Sequence, residues 1–168
     1  IVHPMSGVTR DRSYHRTDWN GREFMLVDTG GIEFVTDDAF GDSIRNQAVV
    51  AAREADVVVF LVDGSTGVAA GDEEVATLLR RQKTPVFLAV NKLDTPGREE
   101  AIHEFWSLGL DQPWPVSALH GHGTGDLLDA IVAALPAAAE SETGDDAIGV
   151  AIIGKPNAGK SSLYNKLL

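Results

Sequence analysis

The amino-acid sequence predicts an α/β fold of three layers, in which helices cover both faces of a mostly parallel β-sheet. Apolar, largely β-branched runs occur at Val57–Asp63, at Val86–Asn91 and at residues 148–153. Continuous runs of this kind are typical of strands that are buried on both faces. Helical patterns separate these runs, and alternating strands and helices favour a parallel sheet with right-handed crossovers.

A β-hairpin is predicted near the beginning of this sheet. Asn20-Gly21 is a strong signal for a two-residue turn, and it lies between the strand-like runs Ser13–Trp19 and Arg22–Asp28. We therefore expect one antiparallel hairpin at the edge of the parallel strands. Four helices are predicted from apolar periodicity, at residues 43–55, 73–81, 99–108 and 126–135. Asp72 and Asp126 are the predicted N-caps of the second and the fourth helix.

The last predicted helix ends at Pro136. Residues 137–147 are small, acidic and contain glycine, which is typical of a linker. A new strand is predicted directly after this segment. We therefore divide the chain into residues 1–135, a linker at 136–147 and a third segment at 148–168.

Composition limits the classes of function. The chain has 168 residues, of which 43% are hydrophobic and 23% charged, as expected of a globular domain with its own core. It has no cysteine, which excludes disulfides and thiolate metal sites. A net charge of −11 argues against a general nucleic-acid-binding surface, because phosphates would be repelled. No apolar run reaches membrane-spanning length, so we expect no membrane partner.

Residues 154–161, with the sequence GKPNAGKS, match the phosphate-binding motif G-x-x-x-x-G-K-[ST] at every fixed position. The motif follows a predicted strand and begins a predicted helix, so phosphate binding is favoured over a chance glycine-rich turn. In this motif the backbone around Gly159 surrounds the phosphates, and Lys160 neutralises their charge. The Ser161 hydroxyl ligates Mg²⁺, and Ser162 is a further candidate for nucleotide contact.

Asn91-Lys92-Leu93-Asp94 follows a buried strand, at the edge of the sheet where α/β proteins bind ligands. The Asp94 carboxylate can accept hydrogen bonds from N1 and N2 of guanine, which adenine does not offer. Asn91 would hold the loop and contact the base, and the stem of Lys92 would cover the face of the base. The alternative is an ordinary polar turn after a strand. The phosphate-binding motif elsewhere in the chain favours the guanine interpretation.

Three further segments carry weaker signals. Asp28, at the end of a strand, can reach Mg²⁺ through water, and the Gly31 N–H can meet a γ-phosphate. A backbone N–H at Ser117 or Ala118 can meet guanine O6. Thr9 can offer a second hydroxyl to Mg²⁺. For each of them, a structural turn or an ordinary loop residue is the alternative interpretation.

Taken together, these segments resemble the Der (EngA) GTPases, which carry two GTPase domains in tandem. The matching segments are GVTRDR from Gly7, VDTGGI from Val27, NKLD from Asn91, SALHGHGTGDLLD from Ser117 and IGKPNAGKSSL from Ile153. The resemblance covers nearly the whole chain. It implies a Ras-like P-loop GTPase fold that binds and hydrolyses GTP with Mg²⁺.

The order of the motifs is permuted, because the phosphate-binding motif comes last. By resemblance, the chain is a window from switch I of a first domain to the P-loop of a second. In a full-length relative, residues 1–135 would then serve one nucleotide site and residues 148–168 another. Within this chain, we expect residues 148–153 to pair with the strands that end at Asp28 and Asp63. The displaced phosphate-binding loop would then complete the first site.

The resemblance also bears on hydrolysis and on partners. Ile32 stands where Ras-like switch GTPases carry a water-positioning Gln. Asn157 matches a position that ligates K⁺ in potassium-stimulated relatives. Ile32 therefore keeps open an alternative, a nucleotide-gated binding module with negligible hydrolysis; a third interpretation, an ATP-binding enzyme, is disfavoured by Asp94. The family implies a cytoplasmic or plastid location and a role in assembling the large ribosomal subunit.

Overall fold

The structure is a computed structural model that describes residues 13–29, 46, 48–93, 99–137, 148–155 and 157–168. Six strands in these segments form one sheet, in the order β1-β2-β6-β3-β4-β5. The strands are β1 (Ser13–Trp19), β2 (Arg22–Asp28), β3 (Val57–Asp63), β4 (Val86–Asn91), β5 (Trp114–Val116) and β6 (Gly149–Gly154). β1 and β2 are antiparallel and the other neighbouring pairs are parallel. The predicted fold class is confirmed.

β6 occupies a central position in the sheet, although it lies near the end of the chain. Ile152 is opposite Asp28 of β2, and Gly154 is opposite Leu61 of β3. These are the pairings that the sequence predicts for residues 148–153. Without β6, the facing edges of β2 and β3 would leave backbone N–H and C=O groups unpaired. Because β6 is parallel to both neighbours, the loop after it emerges beside the carboxyl ends of β2 and β3.

Helices cover both faces of the sheet, as the alternation of side chains in β3 requires. Val57, Val59 and Leu61 belong to one buried cluster, which is covered by α3 (Thr124–Ala134) and α4 (Lys160–Leu167). The remaining apolar residues of β3 belong to a second cluster on the opposite face. Among the described residues, three helical segments cover that face: α1 (residues 48–54), α2 (Ala70–Leu79) and a 3₁₀ helix (Glu99–Leu108).

Two helices, α2 and α3, begin earlier than predicted, so both proposed N-caps are wrong. The N-cap of α2 is Ala69, and Asp72 lies inside the first turn, where its Oδ2 accepts a hydrogen bond from the Ala69 N–H at 3.0 Å. A carboxylate three residues into a helix commonly reaches back in this way. The N-cap of α3 is Gly123, whose left-handed φ of 70° starts the helix ahead of Asp126.

The predicted helix at residues 43–55 is described only at residues 46 and 48–54, which are helical. The other residues of that prediction lie outside the described part of the chain or, like residue 55, follow the helix. The prediction at 99–108 is confirmed as a helix of the 3₁₀ type. Within the described segments, no helix is long and apolar enough to cross a membrane.

Candidate nucleotide site

The predicted phosphate-binding loop connects β6 to α4. Two of its positions require glycine, because neighbouring atoms leave no room for a Cβ. Gly154 has a φ of 156°, and a Cβ at this position would overlap the carbonyl oxygen of Leu61. Gly159 has a φ of 99°, and a Cβ there would overlap the side-chain nitrogen of Asn91. The loop therefore packs with bare backbone against the ends of β3 and β4. Its residue Pro156 lies outside the described residues.

Lys160 begins α4 and is buried, with 7% of its surface exposed. Its Nζ donates a hydrogen bond to the carbonyl oxygen of Lys155 at 2.8 Å. Burial lowers the pKa of Lys160, and the nearby Asp28 carboxylate partly opposes this effect. An oxyanion placed at this amine would favour its charged form. The position thus suits a lysine that neutralises phosphate.

Ser161 and Asp28 meet beside Lys160, although they are 133 residues apart in the chain. The Ser161 hydroxyl contacts the Asp28 carboxylate with an Oγ–Oδ2 distance of 3.1 Å. Hydroxyl and carboxylate oxygens are suitable partners for Mg²⁺, which is usually bound by few protein groups together with phosphate oxygens and water. No cluster of three metal-binding side chains is present among the described residues. The donor set therefore fits Mg²⁺ that is shared with a nucleotide. Ser162 is exposed on α4.

Asn91 lies at the end of β4, and its side chain joins two loops. Its Nδ2 donates to the carbonyl oxygen of Ala158 at 2.7 Å, and its Oδ1 accepts from the Ala118 N–H at 2.9 Å. Asn91 is 3% exposed, so both hydrogen bonds are shielded from water. Because the Ala118 N–H is taken by Asn91 in this arrangement, a guanine O6 at this position would compete with the Asn91 oxygen. Asn91 thereby connects the phosphate-binding loop with the loop after β5.

Lys92 follows Asn91 and has a left-handed φ of 67°. Its Nζ donates to the carbonyl oxygen of Asn157 at 2.8 Å and forms an ion pair with Asp63 Oδ2 at 2.6 Å. Burial alone would raise the pKa of Asp63, but hydrogen bonds from Lys92 and from Ser65 lower it below its usual value. Lys92 thus contacts both the phosphate-binding loop and the end of β3.

Ser117 is buried in a tight loop after β5. Its N–H donates to the His122 carbonyl at 2.9 Å, and its hydroxyl accepts from the His120 N–H at 3.2 Å. These contacts fix the loop that carries Ala118. Gly123 closes the loop, and a Cβ there would overlap the carbonyl oxygen of Pro115.

Several predicted site residues lie outside the described part of the chain. They are Thr9, Gly31, Ile32 and Asp94, and their roles stay predictions. Three charged residues that form ion pairs in this region were not predicted as site residues from the sequence. They are Asp63, Asp72 and Lys155. The signal for Asp63 was its position at the end of a buried strand, as for Asp28. The contact of Lys155 with Asp72 has no signal in the sequence, because it depends on how the loop lies against α2.

The fold and the site define a class of protein. A parallel sheet whose central strand leads into a G-x-x-x-x-G-K-S loop, with the ends of neighbouring strands around it, is the architecture of a P-loop nucleotide-binding protein. The sequence profile described as 50S ribosome-binding GTPase matches residues 1–92 and 149–168. The chain belongs to this family of GTPases.

Curated proteins with similar sequences carry the same name in two bacterial species. The chain is 54% identical over 168 residues to GTPase Der of Moorella thermoacetica (strain ATCC 39073 / JCM 9320). It is 53% identical over the same length to GTPase Der of Streptococcus pyogenes serotype M5 (strain Manfredo). In both cases the whole chain is covered, and it spans 38% of the length of the relative. The predicted resemblance to Der GTPases is confirmed.

Proposed function

We propose that this chain binds GTP or GDP with Mg²⁺ in one composite site and that it hydrolyses GTP. The observation that carries the proposal is the 3.1 Å contact of Ser161 with Asp28. It brings the hydroxyl of the phosphate-binding motif to the carboxylate predicted to reach Mg²⁺. Membership of a GTPase family supports the same conclusion. The two segments of the chain, residues 1–135 and 148–168, thus act together on one nucleotide.

The residues would divide the chemistry between them. Lys160 and the N–H groups at the beginning of α4 neutralise the phosphates. Ser161 would ligate Mg²⁺ directly, Asp28 would hold it through water, and Thr9 would add a second hydroxyl. Mg²⁺ held there would supply positive charge to the phosphate oxygens. Gly31 donates its N–H to the γ-phosphate.

Base recognition would come from the loops after β4 and β5. Asp94 accepts hydrogen bonds from guanine N1 and N2. The stem of Lys92 lies against the face of the base, and its amine, which contacts the Asn157 carbonyl, fixes the base loop to the phosphate-binding loop. Asn91 joins both to Ala118, the residue after Ser117.

Equilibrium titration with a fluorescent GDP analogue in Mg²⁺ tests the proposal. We expect one nucleotide per chain and no competition by ADP. Lys160→Ala should abolish binding, since it removes the phosphate-neutralising amine. Lys83→Ala, which removes an exposed lysine, is the matched control and should bind like the unmodified chain. Absence of GDP binding by the folded chain, or equal binding of ADP, contradicts the proposal.

We further propose that K⁺ bound near Asn157 stimulates GTP hydrolysis. Asn157 is exposed at the edge of the phosphate-binding loop, with a φ of 62°, and its carbonyl is fixed by Lys92. We expect K⁺ to stimulate GTP hydrolysis more than Na⁺ at equal ionic strength, by placing a positive charge near the phosphates. Equal rates in both salts exclude this role of Asn157. GTP binding without turnover in either salt supports instead a nucleotide-gated binding module.

The role of the whole protein is a proposal based on family and relatives. The family description names binding to the 50S ribosomal subunit. We therefore propose the large ribosomal subunit or its precursor as the partner of the protein, and the cytoplasm as its location. Cosedimentation with 50S subunits, compared in GTP and GDP, tests the partner. The ribosomal partner is rejected if the protein is absent from the 50S fraction both with GTP and with GDP.

A further inference from the structure

An ion pair between buried Asp72 and partly exposed Lys155 ties the phosphate-binding loop to α2. Asp72 is 3% exposed, and its two carboxylate oxygens have different partners. Oδ2 accepts a hydrogen bond from the Ala69 N–H at 3.0 Å, which caps α2. Oδ1 pairs with Lys155 Nζ at 3.1 Å. The Lys155 stem also packs on the first turn of α2, because a Cβ on Gly71 would lie 3.1 Å from its Cε.

Lys155 is also bonded to the lysine of the phosphate-binding motif, through its backbone. Its carbonyl oxygen accepts the hydrogen bond from Lys160 Nζ at 2.8 Å. One residue therefore has its side chain held by Asp72 and its carbonyl directed at Lys160. A buried carboxylate needs a charged partner, so the position of Lys155 is strongly constrained. The direction of the Lys160 amine is constrained in turn.

We propose that Asp72 is a positioning residue for nucleotide binding, which acts through Lys155 on Lys160. The proposal rests on the proposed function of the site. Asp72 fixes the Lys155 side chain away from the phosphates, at α2, and so holds its carbonyl where it orients Lys160. Removal of the Asp72 charge releases Lys155, and the phosphate-binding loop then loses a preformed arrangement. Binding of phosphates must restore that arrangement, and this weakens the affinity.

Asp72→Asn tests this step. The amide keeps an oxygen for the Ala69 N–H, so the cap of α2 is preserved, but it removes the charge that holds Lys155. We expect the affinity for GDP with Mg²⁺ to fall by roughly 2- to 30-fold, the range found for residues that act on a site through others. Glu73→Gln, the same type of change at the exposed neighbouring residue, is the matched control and should bind like the unmodified chain.

A double-mutant cycle separates positioning from a general loss of stability. Lys155→Met removes the other partner and should weaken GDP binding to a similar extent. The combined variant Asp72→Asn/Lys155→Met should bind GDP no more weakly than the single variant with the lower affinity. Both changes break the same ion pair, so their effects should not add. Thermal unfolding of each variant is measured alongside, and titrations are made well below the unfolding midpoint. Should Asp72→Asn fail to fold, Lys155→Met alone decides.

The outcomes distinguish this inference from the proposed function. If the unmodified chain binds no GDP, the proposed function fails first. If it binds GDP and the folded Asp72→Asn variant has the same affinity, the positioning role is overturned. A loss of affinity in Asp72→Asn that is absent in Lys155→Met also overturns it, because Asp72 then does not act through Lys155. Additive losses in the combined variant lead to the same rejection.

Discussion

The side chain of Asn91 donates a hydrogen bond to the carbonyl oxygen of Ala158, at an Nδ2–O distance of 2.7 Å. This bond joins β4, in the first segment of the chain, to the phosphate-binding loop, in the last. Asn91 is also bonded to Ala118, and it is buried. The cohesion of the site therefore depends on a residue that also belongs to the predicted guanine motif.

Asn91→Ala should destabilise the fold and weaken nucleotide binding together. Substitution leaves the Ala158 carbonyl and the Ala118 N–H without their partner, and each buried unsatisfied group costs about 1–3 kcal/mol. Urea denaturation measures the change in unfolding free energy. Asn165→Ala, at an exposed asparagine of α4, is the control and should stay within about 0.5 kcal/mol of the unmodified chain. A similarly small effect at Asn91 would refute the connecting role.

Ser161→Ala should remove the dependence of GDP affinity on Mg²⁺. The hydroxyl is the predicted direct ligand of the ion. A hydrogen bond to a charged group contributes about 1.5–3 kcal/mol, and we expect a loss of comparable size here. We expect GDP to bind at least tenfold more weakly to the variant in Mg²⁺ and equally to both proteins in EDTA. Isothermal titration in the two buffers provides both values. A variant that still gains affinity from Mg²⁺ would assign the ion to other residues.

Asp94→Asn should change the choice of base. The carboxylate accepts from N1–H and N2–H of guanine, whereas an amide can donate to the additional oxygen of xanthine. Loss of hydrogen bonds to a charged group, about 1.5–3 kcal/mol each, predicts at least tenfold weaker GDP binding. Competition of GDP and XDP for one fluorescent nucleotide measures both affinities. The role of Asp94 is rejected if the ratio of the two affinities stays the same.

The sequence predicts the strands better than the helices, for a physical reason. Strands such as β3 and β4 consist of uninterrupted apolar residues that end at Asp63 and Asn91, so the pattern itself marks their ends. The start of a helix depends on backbone conformation, and the left-handed φ of Gly123 cannot be predicted from the local sequence. Asp72 is of a residue type that is common at N-caps, but it caps α2 from within the first turn of the helix.

The site was predictable where a motif fixes the chemistry and not where side chains meet by packing. The roles expected of Lys160 and Ser161 follow from the motif together with the strand in front of it, and they stay predictions. The partner of Lys155 depends on the distance between the phosphate-binding loop and α2, which no local pattern encodes. The same is true of the contact between Lys92 and Asp63, since Lys92 follows β4 and Asp63 ends the neighbouring strand β3.

Lys160 should reduce the stability of the chain in the absence of nucleotide. Its pKa is lowered in the folded state by burial, so the folded chain binds the proton less tightly than the unfolded chain does. Stability therefore rises with pH, from the lowered pKa up to the ordinary lysine value of about 10.4. Lys160→Met should be more stable than the unmodified chain at pH 7, and the difference should shrink as pH rises. Urea denaturation at pH 7, 8, 9 and 10 measures the difference in unfolding free energy between the two proteins. A difference that grows with pH contradicts a lowered pKa of Lys160.

β6 has a central position in the sheet, on which the proposed composite site depends. Ile152 is fully buried, opposite Asp28 of β2 and Val59 of β3. Ile152→Ala should lower the unfolding free energy by about 2–5 kcal/mol, because it leaves a cavity in a core that packs on both neighbours. A domain of this kind has a stability of about 5–15 kcal/mol, so the loss is measurable by urea denaturation.

Leu168→Ala is the control for this prediction, since it also shortens an apolar side chain near the end of the chain. Leu168 is 49% exposed, and its loss should change stability by less than about 0.5 kcal/mol. A segment that did not enter the sheet would make both substitutions nearly neutral. A large loss for Ile152 with little change for Leu168 therefore requires β6 to be part of the core. Two small losses would place residues 148–168 outside the sheet and would remove Lys160 and Ser161 from the site that contains Asp28.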